Sequence, residues 1–221
     1  MRNRYSLPIF VSLLVACVLS PRVLLADGSG FYLSVAGGPM ILQGEDIEGS
    51  SDLNPNYSTG FAVGGALGYE LPALPVRIEA ELMYRSNNLD EVSDGSGAIL
   101  GGAGEASGDG SVKLATAMLN AYVFLPVPFG LEPYIGAGFG YASLDADGLS
   151  GGAVSLVDGA ADTYAYQFIV GTELDFFPGP IDIGLEYRYL ALAKEQISGA
   201  AGSFDFNYQS HSLMARLRYT F

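Results

Sequence analysis

Arginines and glutamates recur at two-residue spacing in several segments of this 221-residue chain, and this spacing suits ion pairing. Side chains along a β-strand alternate between two faces, so residues of one parity share a face. In the segment from 76 to 85, charged residues occupy one parity and apolar residues occupy the other. The segments from 163 to 176, 181 to 192 and 209 to 221 alternate in the same way. We therefore predict one charged inner face made by Arg77, Glu79, Glu81, Arg85, Glu173, Glu186, Arg188, Arg216 and Arg218.

The near balance of five arginines and four glutamates favours an ion-paired interior rather than an open one. Glu186 and Arg216 fall at the same height on adjacent predicted strands, so we expect a cross-strand ion pair between them. Three glycines in YIGAGFGYA, Gly136, Gly138 and Gly140, share the inner parity and leave space for larger neighbours. The sequence thus predicts a plugged interior and not a wide pore.

His211 is the only histidine of the chain and lies between Ser210 and Ser212. A histidine next to a hydroxyl could perform acid-base or nucleophilic chemistry if both groups faced one side. Residues that adjoin on a strand point to opposite faces, so the two hydroxyls are directed away from the imidazole. We interpret His211 as a rim residue and predict no catalytic residue.

The sequence offers little for a metal or a cofactor. DADG, from 145 to 148, has two carboxylates and a turn glycine but lacks the later glutamate of a calcium loop, so we interpret it as a solvated acidic turn. GAGFG lies inside an aromatic strand with no following helix, which excludes a phosphate-binding loop. We predict no metal site and no cofactor.

Eight segments carry the strand pattern, and the lengths of their connections decide the topology. Three connections, LPALP, PVPFG and FPGP, are short and contain prolines that end strands and set turns. The other four are long and rich in Gly, Ser, Asp and Ala. Strict alternation of short and long connections predicts an all-β fold, an eight-stranded antiparallel up-and-down barrel. The predicted strands are 30–38, 59–70, 76–85, 112–125, 131–143, 163–176, 181–192 and 209–221, and the predicted loops are 39–58, 86–111, 144–162 and 193–208.

The amino-terminal segment has the features of an export signal. Arg2 and Arg4 precede an apolar stretch from Tyr5 to Leu19, and a cleavage site follows at Ala26. We predict a signal peptide over 1–26 and a barrel domain over 27–221. Lipoprotein processing at Cys17, within LVAC, is the alternative and stays open. After Ala26 no apolar run of about 18 residues could form a spanning helix, which leaves a closed barrel as the spanning solution.

Acidic residues concentrate in the predicted loops. The whole chain has a formal charge of −14, and the four loops contain 4, 5, 4 and 2 acidic residues against one lysine, Lys194. Their composition offers little to bury, so we expect mobile acidic loops outside the membrane. Such loops repel nucleic acid and could bind basic partners weakly.

Four segments carry a family resemblance: LEPYIGAGFGYA at 131–142, AYQFIVGTELDF at 165–176, IGLEYRYLAL at 183–192 and SHSLMARLRYTF at 210–221. The chain resembles the small bacterial outer-membrane β-barrel superfamily that includes the outer-membrane protein A transmembrane domain, opacity proteins and rickettsial-type surface antigens. The resemblance implies an outer-membrane location, short turns on the periplasmic side and four extracellular loops. It also implies that Tyr219 and Phe221 form an assembly signal.

By the same resemblance, the implied partners are the outer-membrane bilayer, the barrel-assembly machinery and a host or surface ligand of the loops, with the protein a monomer. The leading functional hypothesis is a nonenzymatic barrel that presents its loops at the cell surface, in adhesion, antigenicity or envelope integrity. A narrow porin-like transport barrel is the first alternative. A lipid A-modifying barrel enzyme is the second, because such enzymes use a His and a Ser near the outer rim.

Overall fold

The computed structural model describes residues 30–43, 53–57, 59–94, 104–125, 127, 130–151, 154–174, 179–193, 195–199, 202–206 and 208–221. The predicted signal peptide, its cleavage at Ala26 and the alternative at Cys17 lie outside these residues and stay predictions. The described part of the chain contains no helix with the length and hydrophobicity that crossing a membrane requires.

Eleven strands make up the described secondary structure. They are β1 (Phe31–Gln43), β2 (Leu53–Tyr57), β3 (Gly60–Glu70), β4 (Val76–Asp94), β5 (Gly104–Phe124), β6 (Leu131–Gly151), β7 (Val154–Leu174), β8 (Ile181–Leu192), β9 (Glu195–Gly199), β10 (Gly202–Phe206) and β11 (Gln209–Thr220).

Eight of these strands close into one antiparallel barrel. β1 pairs with β3 and β11, and the ladder continues from β3 through β4, β5, β6, β7 and β8 back to β11. Every pairing is antiparallel. Closure satisfies the backbone donors and acceptors on both sides of each strand, which spanning a membrane requires. The predicted eight-stranded up-and-down barrel is confirmed.

The turn end of the barrel is fastened by backbone hydrogen bonds. In the first turn, the amide of Leu71 donates to the carbonyl of Val76 at 3.0 Å, and Ala73 takes a left-handed φ of 71° between them. At the seam, the amide of Phe221 donates to the carbonyl of Phe31 at 3.0 Å. The start of β1 and the end of β11 therefore meet at the turn end of the barrel.

The strands at the other end are longer than the sequence predicted. The segments 86–111 and 144–162 were expected to be loops, yet β4 runs to Asp94 while β5 starts at Gly104, and β6 and β7 leave only 152 and 153 between them. DADG at 145–148 is accordingly part of β6 and not a turn. Gly, Ser and Ala have low strand propensity, but neighbouring strands that leave the barrel side by side can continue their ladder without an apolar face.

Short strands also occupy the other two predicted loops. β2 pairs with the outer part of β4, and β9 and β10 form a hairpin. The remaining loop residues, including 95–103, lie outside the described residues. The mobility of these loops stays a prediction.

The two faces of the barrel follow the predicted parity. On β11, Leu213 and Leu217 point outward and are about half exposed, whereas Met214 between them is fully buried. At the turn end, Phe31 contacts Tyr69, with ring centroids 4.8 Å apart. Apolar side chains outside and polar side chains inside are the pattern of a barrel whose solvent is lipid.

Candidate functional site: the charged interior

The middle of the barrel interior is closed by a network of ion pairs. Arg188, on β8, forms ion pairs with Glu81 across the barrel and with Glu186 on its own strand, the latter at 2.9 Å. Arg216, on β11, pairs with Glu79 on β4 and approaches Glu186 to 3.7 Å. Two arginines thus share three carboxylates, and every member is at most 4% exposed. A buried charge is tolerated only when it is paired and hydrogen-bonded, and here the pairing is extensive.

Neutral polar side chains complete this middle layer. Tyr122 donates its hydroxyl proton to Glu79 at 2.9 Å, and Tyr134 donates to Glu186 at 3.0 Å. Gln167 donates to Glu81 at 3.1 Å. Carboxylates have several lone pairs, so one arginine rarely satisfies them. These donors occupy the remaining acceptor sites and fix the carboxylates in place.

The predicted pair between Glu186 and Arg216 is present but is not the main contact of either residue. In the β8–β11 register, Arg216 lies opposite Gly184 and Glu186 lies opposite Met214. The pair is therefore diagonal, and the closer partner of Arg216 is Glu79 on the far wall. Barrel curvature decides this choice, because it brings β4 and β11 to one point although they are not neighbours.

A second charge cluster lies at the turn end. Arg77 contacts Glu173 at 2.5 Å and Glu70 at 3.2 Å, and its guanidinium lies 3.7 Å from the ring centroid of Phe124. Arg218 contacts Glu173 at 3.0 Å and Asp182 at 2.7 Å. Two arginines here face three buried or rim carboxylates, and a fourth, at 132, lies 3.4 Å from Arg77. This cluster has an excess of negative charge.

Arg85 is the exception among the five interior arginines. It is 1% exposed and lies on the loop side of the middle network. Its Nη1 donates to the hydroxyl of Thr116 at 2.9 Å, which is its one hydrogen bond to the described residues. Its Nε and Nη2 are buried and have no hydrogen-bond acceptor among the described residues. The structure therefore places all nine predicted interior charges inside the barrel, but it pairs only eight of them.

Glycines admit the large side chains that fill the interior. A Cβ at Gly136 would meet the ring of Tyr122 at 2.6 Å, and one at Gly138 would meet the Asn120 amide oxygen at 2.0 Å. At Gly140 it would meet the backbone carbonyl at 117 at 2.1 Å. The space predicted beside these three glycines exists, and neighbouring residues occupy it. Interior closure thus depends on small residues as much as on charges.

His211 lies on the outer face, away from the charges. Its Nδ1 is 2.6 Å from the hydroxyl of Tyr187, and the ring of Tyr189 lies 5.3 Å away. Ser210 and Ser212 are buried on the inner face. The predicted separation of the imidazole from the two hydroxyls is observed. Within the described residues no group of three or more His, Cys, Asp or Glu side chains is arranged to hold a metal ion.

Sequence reasoning missed several members of the interior. Glu70, Glu132 and Asp182 join the turn-end cluster, and each has the inward parity of its strand, which was the signal that could have found them. The neutral members share the same inward parity but carry no charge to reveal a function: Ser34, Thr116, Asn120, Tyr122, Tyr134 and Gln167.

Comparisons with known proteins agree with this architecture. The family model described as "Outer membrane protein beta-barrel domain" matches residues 10–221. The crystal structure of neisserial surface protein A superposes with a TM-score of 0.59 at 20% identity, covering 87% of this chain and 98% of that one. The outer membrane protein OprG from Pseudomonas aeruginosa gives a TM-score of 0.53 at 12% identity, covering 87% and 97%. At these identities the likeness concerns the fold. No curated protein sequence matches the chain.

Proposed function

The chain belongs to the outer membrane protein beta-barrel domain family, and on that basis we propose that it is a nonenzymatic barrel that presents its outer strands and acidic loops at the cell surface. It is located in the outer membrane. The proposed task is one of contact, antigenicity or envelope integrity, performed by presentation and not by transport or catalysis.

The sealed middle layer of the interior carries this proposal. Glu79, Glu81, Glu186, Arg188 and Arg216 are each at most 4% exposed, and the tyrosines and amides between them are equally buried. Side chains that a water molecule barely reaches cannot line an open aqueous passage. An eight-stranded barrel has room for its own side chains and little more, so closure is expected of this architecture.

The lipid-facing surface supports the location at the membrane. A continuous outer band of apolar and aromatic residues surrounds the polar interior, and examples on three strands are Ile135, Phe168 and Leu185, each more than half exposed. In water such a surface would drive aggregation, whereas in a bilayer it is the solvated face. The bilayer is therefore the first proposed partner, and the barrel is proposed to be a monomer.

Two measurements test presentation at the surface. An epitope inserted between Asp94 and Gly104 should bind antibody on intact cells. The matched control is the same epitope inserted at Ala73, in the turn between β3 and β4, which should bind antibody only after the outer membrane is permeabilised. The reverse labelling pattern would contradict the proposed orientation.

Bilayer recordings test closure. Purified protein in a planar bilayer should show no stable conductance at neutral pH and moderate salt concentration. A steady open level would favour the narrow transport barrel instead, and Arg188→Gln should then increase it by removing the central arginine of the seal. Tyr219 and Phe221 remain the proposed assembly signal for the barrel-assembly machinery, a role separate from either outcome.

A further inference from the structure

Among the described residues, Arg85 is the interior arginine that has no carboxylate partner. Arg77, Arg188, Arg216 and Arg218 each lie within 4.0 Å of two or more carboxylates. None of the described residues places a carboxylate within that distance of Arg85. The contrast does not arise from exposure, since Arg85 and Arg188 are both 1% exposed.

The hydrogen bonds of Arg85 show the same deficit. Among their buried nitrogens, Arg188, Arg216 and Arg218 each leave only Nε without an acceptor in the described residues, whereas Arg85 leaves both Nε and Nη2. Guanidinium Nη groups are strong donors, and leaving one unmatched in a buried place costs more than a neutral hydrogen bond is worth. Its one hydrogen bond to a described residue goes to the Thr116 hydroxyl, which is neutral and cannot compensate the charge.

The nearest charged groups do not resolve this imbalance. Glu81 interacts electrostatically with Arg85, but its Oε2 is engaged by Arg188 and its Oε1 by Gln167. Arg188 repels Arg85, and the phenol of Tyr208 also interacts with it electrostatically. Among the described side chains, Arg85 therefore lacks an ion-pair partner on the loop side, whereas the turn-end cluster has more carboxylates than arginines.

We propose that the Arg85 guanidinium, together with the Thr116 hydroxyl, binds a small monovalent anion of chloride size inside the barrel. An anion would accept from Nη2 and Nε, which are the two donors that the described residues leave unmatched. A single guanidinium matches one negative charge, and a site buried to this degree favours an ion that is small and easily dehydrated over phosphate or sulfate. This site lies beyond the function proposed above and does not require conduction.

The dependence of folding stability on the anion provides the first test. Wild type and Arg85→Gln are each unfolded in urea and refolded into detergent micelles, in sodium chloride and in sodium gluconate of equal concentration, so that the ion equilibrates during folding. Chloride at ten times its dissociation constant should raise the folding equilibrium constant of wild type about tenfold. Arg85→Gln should show no such increase. Arg218→Gln, which removes a carboxylate-paired arginine, is the matched control and should keep the chloride effect.

Comparison of the variant with wild type in the same two salts removes general salt effects on burial, because these act on both proteins equally. If Arg85→Gln responds to chloride as wild type does, the site does not exist. Equal stabilisation of wild type by chloride and gluconate overturns the proposal as well.

Bromide provides a test that needs no variant. Wild-type crystals grown in sodium bromide should show an anomalous peak in contact with Nη2 of Arg85. Absence of that peak, with bromide found elsewhere on the protein, overturns the proposal. A peak without any chloride-dependent stabilisation identifies an adventitious ion only, and this also overturns it. The bromide measurement remains decisive if Arg85→Gln does not refold.

Discussion

Arg188 and Arg85 occupy the same barrel interior and are equally buried, yet their surroundings differ completely. Arg188 has Glu81 and Glu186 as partners and lies in the middle network. Arg85, one layer nearer the loops, has the hydroxyl of Thr116. Burial alone therefore does not tell whether an interior charge stabilises the fold. A fixed opposite charge decides whether the buried charge is stabilising. Both arginines lose their hydration on burial, but only Arg188 gains carboxylates that offset this cost.

The largest expected effect is the loss of Arg188. In Arg188→Met, two carboxylates are left buried without their main counter-charge, and removing one partner of such a network typically costs about 3 to 5 kcal/mol. Urea unfolding of the refolded protein, followed by heat-modifiable migration on gels, measures this change. A loss below about 1 kcal/mol would remove the distinction between the two arginines.

A substitution to arginine on the outer face tests whether an arginine is tolerated only inside the barrel. Leu213, near the middle of β11, is 51% exposed on the lipid side. Leu213→Arg should destabilise the protein in lipid vesicles by about 2 to 4 kcal/mol, since an arginine there has only hydrocarbon as its surroundings. Leu213→Met is the control and should change stability little. Tolerance of Leu213→Arg would argue against this face lying at the bilayer midplane.

A double-mutant cycle measures the central pair directly. Glu81→Gln, Arg188→Gln and the double variant should give a coupling free energy of about 1 to 3 kcal/mol, with the double variant more stable than the sum of the single losses implies. Urea midpoints at constant slope provide the values. Additivity of the two losses would show that the pair is no more coupled than distant residues are.

The smallest expected effect is the loss of Arg85. Arg85→Met removes a buried charge that has no ion-pair partner among the described residues, so in chloride-free buffer the free energy of unfolding should change by less than about 1 kcal/mol or rise. Parallel urea curves of wild type and Arg85→Met in gluconate decide this. A loss as large as that of Arg188→Met would mean that the two surroundings are equivalent.

Much of the fold was predictable because a strand has a period of two. Parity alone assigned Arg77, Glu79 and Arg216 to the inside and Leu213 and Leu217 to the outside, and the short proline turns gave the order of the strands. Closure of eight strands then followed from the need to pair every backbone group in a membrane. The sequence also separated His211 from its flanking hydroxyls.

The extent of the strands was less predictable. Residues 86–94, 104–111 and most of 144–162 have the glycine and serine content of loops, yet they continue the ladder beyond the apolar part of the barrel. Their pairing depends on the neighbouring strand leaving the rim alongside them. Local propensity does not contain that information.

Sequence by itself determined which residues face inward, because alternation depends only on position along one strand. Only the tertiary structure decided which charges meet: Glu81 and Arg188 are 107 residues apart and on strands that do not pair. Arg77 and Arg85 have the same parity on the same strand, and nothing local distinguishes them. Closure of the barrel placed carboxylates from three other strands around Arg77 and a threonine beside Arg85, and electrostatic pairing across a closed interior is set by that geometry.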